Sequence, residues 1–331
     1  MATMELDQLA ALAQRVIEGQ AIGGEQALAL LDTPDERLLD LLAAAYKIRR
    51  FHFGNKVKLN MIVNAKSGLC AEDCGYCSQS IVSEAPIEKY ALLERDQLVE
   101  GAQEALRRKA GTYCIVMSGR KPSKHELDEV VDAVKEIRAT TTLKICTSLG
   151  LITSEDAERL AEAGVHRFNH NLNTSENRYA EICHTHTYDN RVASIEHVKH
   201  AGMSPCSGLI VGMGETPQDV VDVAFSLRNL KVDSIPVNFL NSIDGTPLAG
   251  YSHLNPRYCL KVLAMFRFVN PAKEIRVSGG REVNLRSLQP LALYAANSIF
   301  VGDYLTTVGQ EPTADWQMIE DLGFEIEESA S

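Results

Sequence analysis

Apolar residues recur at three- and four-residue spacing through 5–18 and 25–31, the period of a helix with one buried face. Asp32-Thr33-Pro34 then supplies cap residues and a first-turn proline for a third helix running to about Arg50. From Lys56 the texture changes to short apolar runs without helical period, at 57–63, 113–117, 143–147, 165–170, 204–211, 234–240, 274–278 and 298–301. These read as eight strands. Amphipathic segments separate most of them: Leu127, Val130, Val131, Val134 and Ile137 share one face, as do Val220, Val223, Ala224, Leu227 and Leu230 in 217–230, and Leu260, Leu263 and Phe266 in 256–269. Another helix opens at Thr153-Ser154-Glu155. The helical pattern is weakest after the fourth and seventh strands.

An alternation with a period of roughly thirty residues is the pattern of repeated βα units. Eight of them predict an α/β fold, a (β/α)8 TIM-type barrel, with an open doubly wound sheet as the competing arrangement. No linker or low-complexity segment divides the repeat. The reading is an N-terminal helical extension (1–55), one barrel (56–310) and a short C-terminal addition (311–331), whose acidic end at 325–331 is expected to fray.

At 331 residues and 45% hydrophobic, the chain can bury a large core. Its formal net charge of −11 argues against nucleic acid and anionic membrane, which attract basic surfaces, and leaves a small molecule as the expected substrate. The opening Met1-Ala2-Thr3-Met4-Glu5-Leu6-Asp7 carries acid where a secretory leader carries base, and no apolar run is long enough to span a bilayer. A cytoplasmic protein is expected.

Chemistry enters with Cys70-Ala-Glu-Asp-Cys74-Gly-Tyr-Cys77, directly after the first strand. Three thiols spaced C-x3-C-x2-C can converge on one centre, one ligand short of a closed tetrahedral site, so a coordination position stays open. A thioredoxin-like C-x-x-C leaves Cys70 unexplained, and a zinc knuckle needs a fourth ligand when the closest histidines, His52 and His125, are distant. An iron–sulfur cluster fits best. Chemistry in a parallel barrel collects at the strands' carboxyl ends, and there Cys114, Cys146, Cys206 and Arg276 each interrupt an apolar run. Any one such cysteine can be a small core filler, but three on separate strands, with a guanidinium to complement anionic sulfur, suggest a second iron–sulfur centre. Asn169, Asn171 and Asn173 at the end of the fourth strand and Asn238 on the sixth offer donors and acceptors to a urea, amide or ribose. The glycines of Gly208-Leu-Ile210-Val-Gly212-Met-Gly214-Glu215 permit close approach to a flat ligand. Cys183 and Cys259 read as inert, and His184-Thr-His186 as a solvated loop.

The cysteine run followed by Gly208-x-Ile210-x-Gly212-x-x-Glu215 resembles the radical S-adenosylmethionine (SAM) enzymes. Within them the whole chain resembles the branch that inserts sulfur into dethiobiotin. That likeness rests on Asn64-Ala-Lys-Ser-Gly-Leu-Cys70, Tyr113-Cys114, Phe168-Asn-His-Asn-Leu-Asn-Thr174, Pro205-Cys-Ser-Gly208, Gly245-Thr-Pro247, Ile275-Arg-Val-Ser278 and Ala296-Asn-Ser-Ile-Phe300, all in the expected order. The resemblance implies a sulfurtransferase in which Cys70, Cys74 and Cys77 hold a [4Fe–4S] cluster that cleaves SAM to methionine and a 5′-deoxyadenosyl radical. Cys114, Cys146, Cys206 and Arg276 then hold a [2Fe–2S] cluster that donates sulfur between C6 and C9 of dethiobiotin. It further implies SAM contacts from Ser118, Gly119, Asn171, Asn173, Gly208, Ile210, Gly212 and Glu215, and substrate contacts from Asn169, Asn171, Asn238, Thr306 and Thr307. A flavodoxin- or ferredoxin-like electron donor and a homodimer are implied as well. Asn173 stands where that branch commonly carries an acidic residue, and Arg120 lies in a segment that departs from the expected glycine- and alanine-rich form. The alternatives are another radical SAM enzyme, a mutase or maturase without the sulfur-donor cluster, and a non-catalytic iron–sulfur redox or sensor protein. The first has no reason to keep Cys114, Cys146, Cys206 and Arg276 together, and the second none to keep a nucleotide-binding glycine motif.

Overall fold

The structure is a computed structural model describing residues 6–251 and 253–328; the first residue of the expected 5–18 helix, the first five of the acidic opening and the last three of the tail lie outside it. The apolar runs form parallel strands β1 (Lys56–Lys66), β2 (Thr112–Met117), β3 (Lys144–Ser148), β4 (Arg167–Asn169), β5 (Ser204–Cys206), β6 (Leu209–Val211), β7 (Ser234–Phe239), β8 (Glu274–Val277) and β9 (Ser298–Phe300). They pair in chain order, with β6 attached to β7, and β9 returns to β1 through the register Leu59 to Ile299. Closure removes the sheet edges and rejects the doubly wound alternative.

Strand faces toward the helices are Ile- and Val-rich and buried, as in β2, β7 and β8. The helices around them begin where local chemistry supplies a cap. Thr153 with Asp156 and Thr216 with Asp219 form reciprocal capping boxes. After β4 the weak pattern resolves into two short turns and the helix Tyr188–His200, and after β8 into Arg281–Leu285 continued by a 3-10 stretch. The N-terminal helices Gly24–Leu31 and Leu38–Phe53 pack on the helix Pro256–Val269, which explains why that helix is buried from Cys259 to Val269 on every side. Among the described residues, no helix is long and apolar enough to cross a membrane.

Two expectations need correction. The fifth strand is broken: β5 and β6 are separated at Ser207-Gly208, where the backbone passes so close to its neighbour that a Cβ on Gly208 would sit 1.8 Å from the Pro236 carbonyl oxygen. The kink frees the next residues to bridge Asn173, whose amide donates to the Gly208 carbonyl while Ile210's amide donates to its own. The acidic end does not fray over its described part. Glu325–Ile326 forms β10, parallel to Lys56 and Val57, with Lys56–Glu325 and Lys58–Glu327 ion pairs and a 2.8 Å bond from the Glu327 amide to the Val57 carbonyl.

The C-terminal helix Pro312–Asp321 is fastened to the barrel by charge. Asp315, fully buried, accepts two bonds from the buried Arg281 guanidinium, at 2.8 and 3.1 Å. Removing Asp315 leaves the buried guanidinium with only the partly exposed Glu282, at 3.1 Å, to balance it. Asp315→Ala is therefore expected to destabilise the chain by about 3–5 kcal/mol, read as a lowered denaturant midpoint; an unchanged midpoint refutes the assignment.

Candidate active site

The loop after β1 delivers three thiols to one space. Gly68 and Leu69 take φ of 63° and 50°, a left-handed turn that is strained for leucine, and the chain doubles back. Cys70, Cys74 and Cys77 consequently line a single cavity of about 390 Å³ at the carboxyl ends of the strands. Cys77's amide donates to the Cys74 carbonyl at 3.1 Å, which tightens the turn. Burial pushes the Cys70 thiol up, although amides of Glu72 and Gly119 bond its sulfur, and burial raises the Cys77 thiol to about 11. Neutral thiols so placed become thiolates only where a metal replaces the proton.

Cys114, Cys146 and Arg276 line the same cavity from the barrel strands. Cys114 and Cys146 are register partners on β2 and β3, and Cys206 lies fully buried behind them, accepting a 3.2 Å bond from Asn169 Nδ2. Arg276, also buried, is held by Ser234 and Ser298 hydroxyls at 3.2 Å and by Glu274. Burial alone would lower its guanidinium, but Glu274 and the fields of Cys206, Cys114 and Cys146 outweigh it and raise it. Glu274 also pairs with Arg167 at 3.0 Å; burial favours its protonation, yet Arg167, Arg276 and Lys58 hold it well below the usual range. Two guanidiniums, one carboxylate and three thiols make a site suited to a group with anionic sulfur.

The two cysteine sets thus open into one space. The same cavity is lined by Asn169, Asn171, Asn173 and Asn238, by Ile210, by Ser118 and Gly119, and by Thr306 and Thr307. Their amides are partly committed. Asn171 Oδ1 accepts from Gly208's amide and Asn169 Nδ2, both at 3.0 Å, while Asn238 donates to the Leu209 carbonyl and accepts from Gly279's amide, also at 3.0 Å. Asn173 adopts φ of 71°, tolerable for asparagine, and donates to the Tyr76 hydroxyl. Ser118 gives its hydroxyl proton to the Gly68 carbonyl, and Thr306 shares a 2.7 Å bond with Ser78. Gly208, Gly212 and Glu215 are not among the residues lining the cavity. Glu215 accepts from the amides of Gly212 and Met213 at 2.6 and 2.7 Å, bracing the turn that follows Ile210.

Several functional neighbours were not legible in the sequence. Arg191, buried, donates to the Asn171 carbonyl at 2.8 Å and to Tyr179. His170 lines the cavity and burial keeps it neutral; its Nε2 is enclosed and has no hydrogen-bond partner among the described residues. Arg120 ties the loop after β2 to the Thr185 carbonyl at 2.6 Å. The reading of His184-Thr-His186 as a solvated loop is corrected in part. His184 is exposed, but Cys183 and His186 are buried beside Cys74, because Asp73 accepts the amides of His184 and Thr185 and pulls that loop against the cysteine turn.

Two family models match: residues 66–227 fit the radical SAM superfamily, and 236–325 the biotin and thiamin synthesis associated domain. The chain is 66% identical to biotin synthase from Bacillus cytotoxicus over 314 residues, covering 95% of each, and 65% identical to biotin synthase from Bacillus cereus strain AH187, covering 96% of each. The chain belongs to the biotin synthase family. Solved structures with the same fold include methylornithine synthase (TM-score 0.84, 22% identity, 96% of this chain and 98% of that one) and the FeFe-hydrogenase maturase HydG of Carboxydothermus hydrogenoformans (TM-score 0.82, 15% identity, 97% and 79%). Those likenesses concern the fold alone. Membership of the biotin synthase family brings a [4Fe–4S] cluster with SAM and a [2Fe–2S] cluster, and the donor sets fit both: an open three-thiol loop facing a cavity, and three strand thiols beside a guanidinium.

Proposed function

We propose that this chain converts dethiobiotin to biotin as a radical SAM sulfurtransferase, with Cys70, Cys74 and Cys77 holding the [4Fe–4S] cluster and Cys114, Cys146, Cys206 and Arg276 the [2Fe–2S] cluster. The observation that carries this reading is the opening of both sets into one cavity, so that a substrate between them is within reach of each. When bound, the clusters and SAM supply the radical chemistry and the sulfur, steps for which protein side chains have no reactivity.

The chain's own residues bind, orient and exclude water. Asn171 keeps both Nδ2 protons for a ligand once Oδ1 is occupied, and Asn238 keeps one proton and one lone pair, which suits them to a ureido ring. Asn169, Thr306 and Thr307 are assigned to the carboxylate tail. Ile210 is assigned to the adenine, Asn173 to the ribose, and Ser118-Gly119 to the methionyl end, with Gly208, Gly212 and Glu215 shaping the edge that presents Ile210. Arg276 orients the strand thiols and balances their charge. Enclosure by the barrel protects radicals from solvent.

The reading extends to a cytoplasmic homodimer fed by a flavodoxin- or ferredoxin-like donor, with working boundaries at 1–55, 56–310 and 311–331. The rival mutase or maturase function leaves the fourfold set of Cys114, Cys146, Cys206 and Arg276 without a purpose. Anaerobic incubation of the reconstituted chain with dethiobiotin, SAM and a low-potential reductant is expected to yield biotin, and none when SAM is omitted. Absence of biotin from a chain loaded with both clusters contradicts the proposal.

A further inference from the structure

Cys183 and His186 take no part in the function above, yet with Cys74 they form a compact buried group whose ligating atoms all lie within 4.8 Å of one another. The two sulfurs are 3.7 Å apart, and Cys183 Sγ is 3.3 Å from His186 Nδ1 and 3.9 Å from Nε2. A tetrahedral zinc ion with Zn–S near 2.3 Å and Zn–N near 2.0 Å separates two thiolates by about 3.8 Å, and a thiolate from an imidazole nitrogen by about 3.5 Å. The sulfur pair already has that spacing at 3.7 Å, and His186 Nε2, at 3.9 Å from Cys183 Sγ, is about 0.4 Å beyond it.

The surroundings complete the site. Glu72, buried, bonds His186 Nδ1, which orients the ring and leaves Nε2 as the ligand, the arrangement common to metal-bound histidines. Asp73 accepts from the Cys183 thiol at 3.2 Å and from the His184 amide at 2.9 Å, fixing the loop that carries both new ligands. Cys74 and His186 line the cavity, so a fourth position is open to water.

We propose that Cys74, Cys183 and His186 form a mononuclear site for zinc in the cluster-free chain, mutually exclusive with the [4Fe–4S] cluster because both need Cys74. Binding forms two Zn–S bonds and one Zn–N bond; the Cys74 and Cys183 protons leave to solvent, and no electron moves. Zinc then holds the chain in a form that cannot load the cluster until the metal is removed.

The test uses the full-length chain prepared reduced and free of iron, with Co2+ as the spectroscopic probe and Zn2+ as competitor. A Cys70→Ala/Cys77→Ala variant is expected to bind one Co2+ with tetrahedral d–d absorption and thiolate charge transfer. Adding Cys183→Ser or His186→Ala should weaken binding at least about tenfold, and Glu72→Gln by about 10- to 100-fold. No tetrahedral spectrum in the double variant, or one indifferent to Cys183→Ser, overturns the proposal. Should that variant fail to fold, the same site is probed in the chain with Cys70 and Cys77 intact. Zinc must block cluster reconstitution more weakly in Cys183→Ser than in the parent chain, and equal inhibition overturns the site.

Discussion

A Cys70→Ala chain cleaves no SAM: 5′-deoxyadenosine and methionine fall to the level of a reaction without protein, whatever reductant is supplied. Cys70 is one of only three thiols on the loop that lines the cavity. Two thiols cannot hold the four-iron centre that the open position requires. The substitution is also structurally mild. Cys70 is only partly buried and heads no core cluster, so the melting temperature should stay near the parent's while activity vanishes. It is a cleaner choice than Cys74, which also contacts Cys183 at 3.7 Å. SAM cleavage persisting in Cys70→Ala would remove Cys70 from the ligand set.

Cys146→Ala separates the two chemistries. Biotin formation is expected to be lost while some 5′-deoxyadenosine formation survives, since the loop thiols are untouched and the strand set loses one of its three sulfurs. Cys146 stands opposite Cys114 in the β2–β3 register, where the guanidiniums of Arg167 and Arg276 both act on it. Alanine removes one atom from a tight core, a modest cost beside the loss of a ligand. Product analysis of both compounds in one reaction gives the split; undiminished biotin would show that Cys146 is not required.

The barrel was readable because each strand is a short apolar run bounded by polar turns, and the closed parallel sheet needs little beyond that alternation. The ligands were readable for a related reason: a thiol or guanidinium inside an apolar run stands out when its strand is known. What escaped depends on contacts distant in sequence. The close approach that requires glycine at 208 is set by the Pro236 carbonyl on a neighbouring strand, and β10 pairs with Lys56 and Val57 across almost the whole chain. Cys183 and His186 looked like loop residues because nothing local reveals that Asp73, more than a hundred positions earlier, gathers their amides. Glu215 fits a cofactor motif by spacing, yet both its oxygens serve the adjacent turn, a use that spacing does not distinguish.

One cavity serving two different iron–sulfur centres is the feature on which the proposed chemistry stands. Iron and sulfide analysis with Mössbauer spectroscopy on the anaerobically reconstituted chain tests it without relying on turnover. Two cluster types are expected, a [4Fe–4S] signal lost in Cys70→Ala and a [2Fe–2S] signal lost in Cys146→Ala; a single cluster type, unaffected by Cys146→Ala, would contradict it.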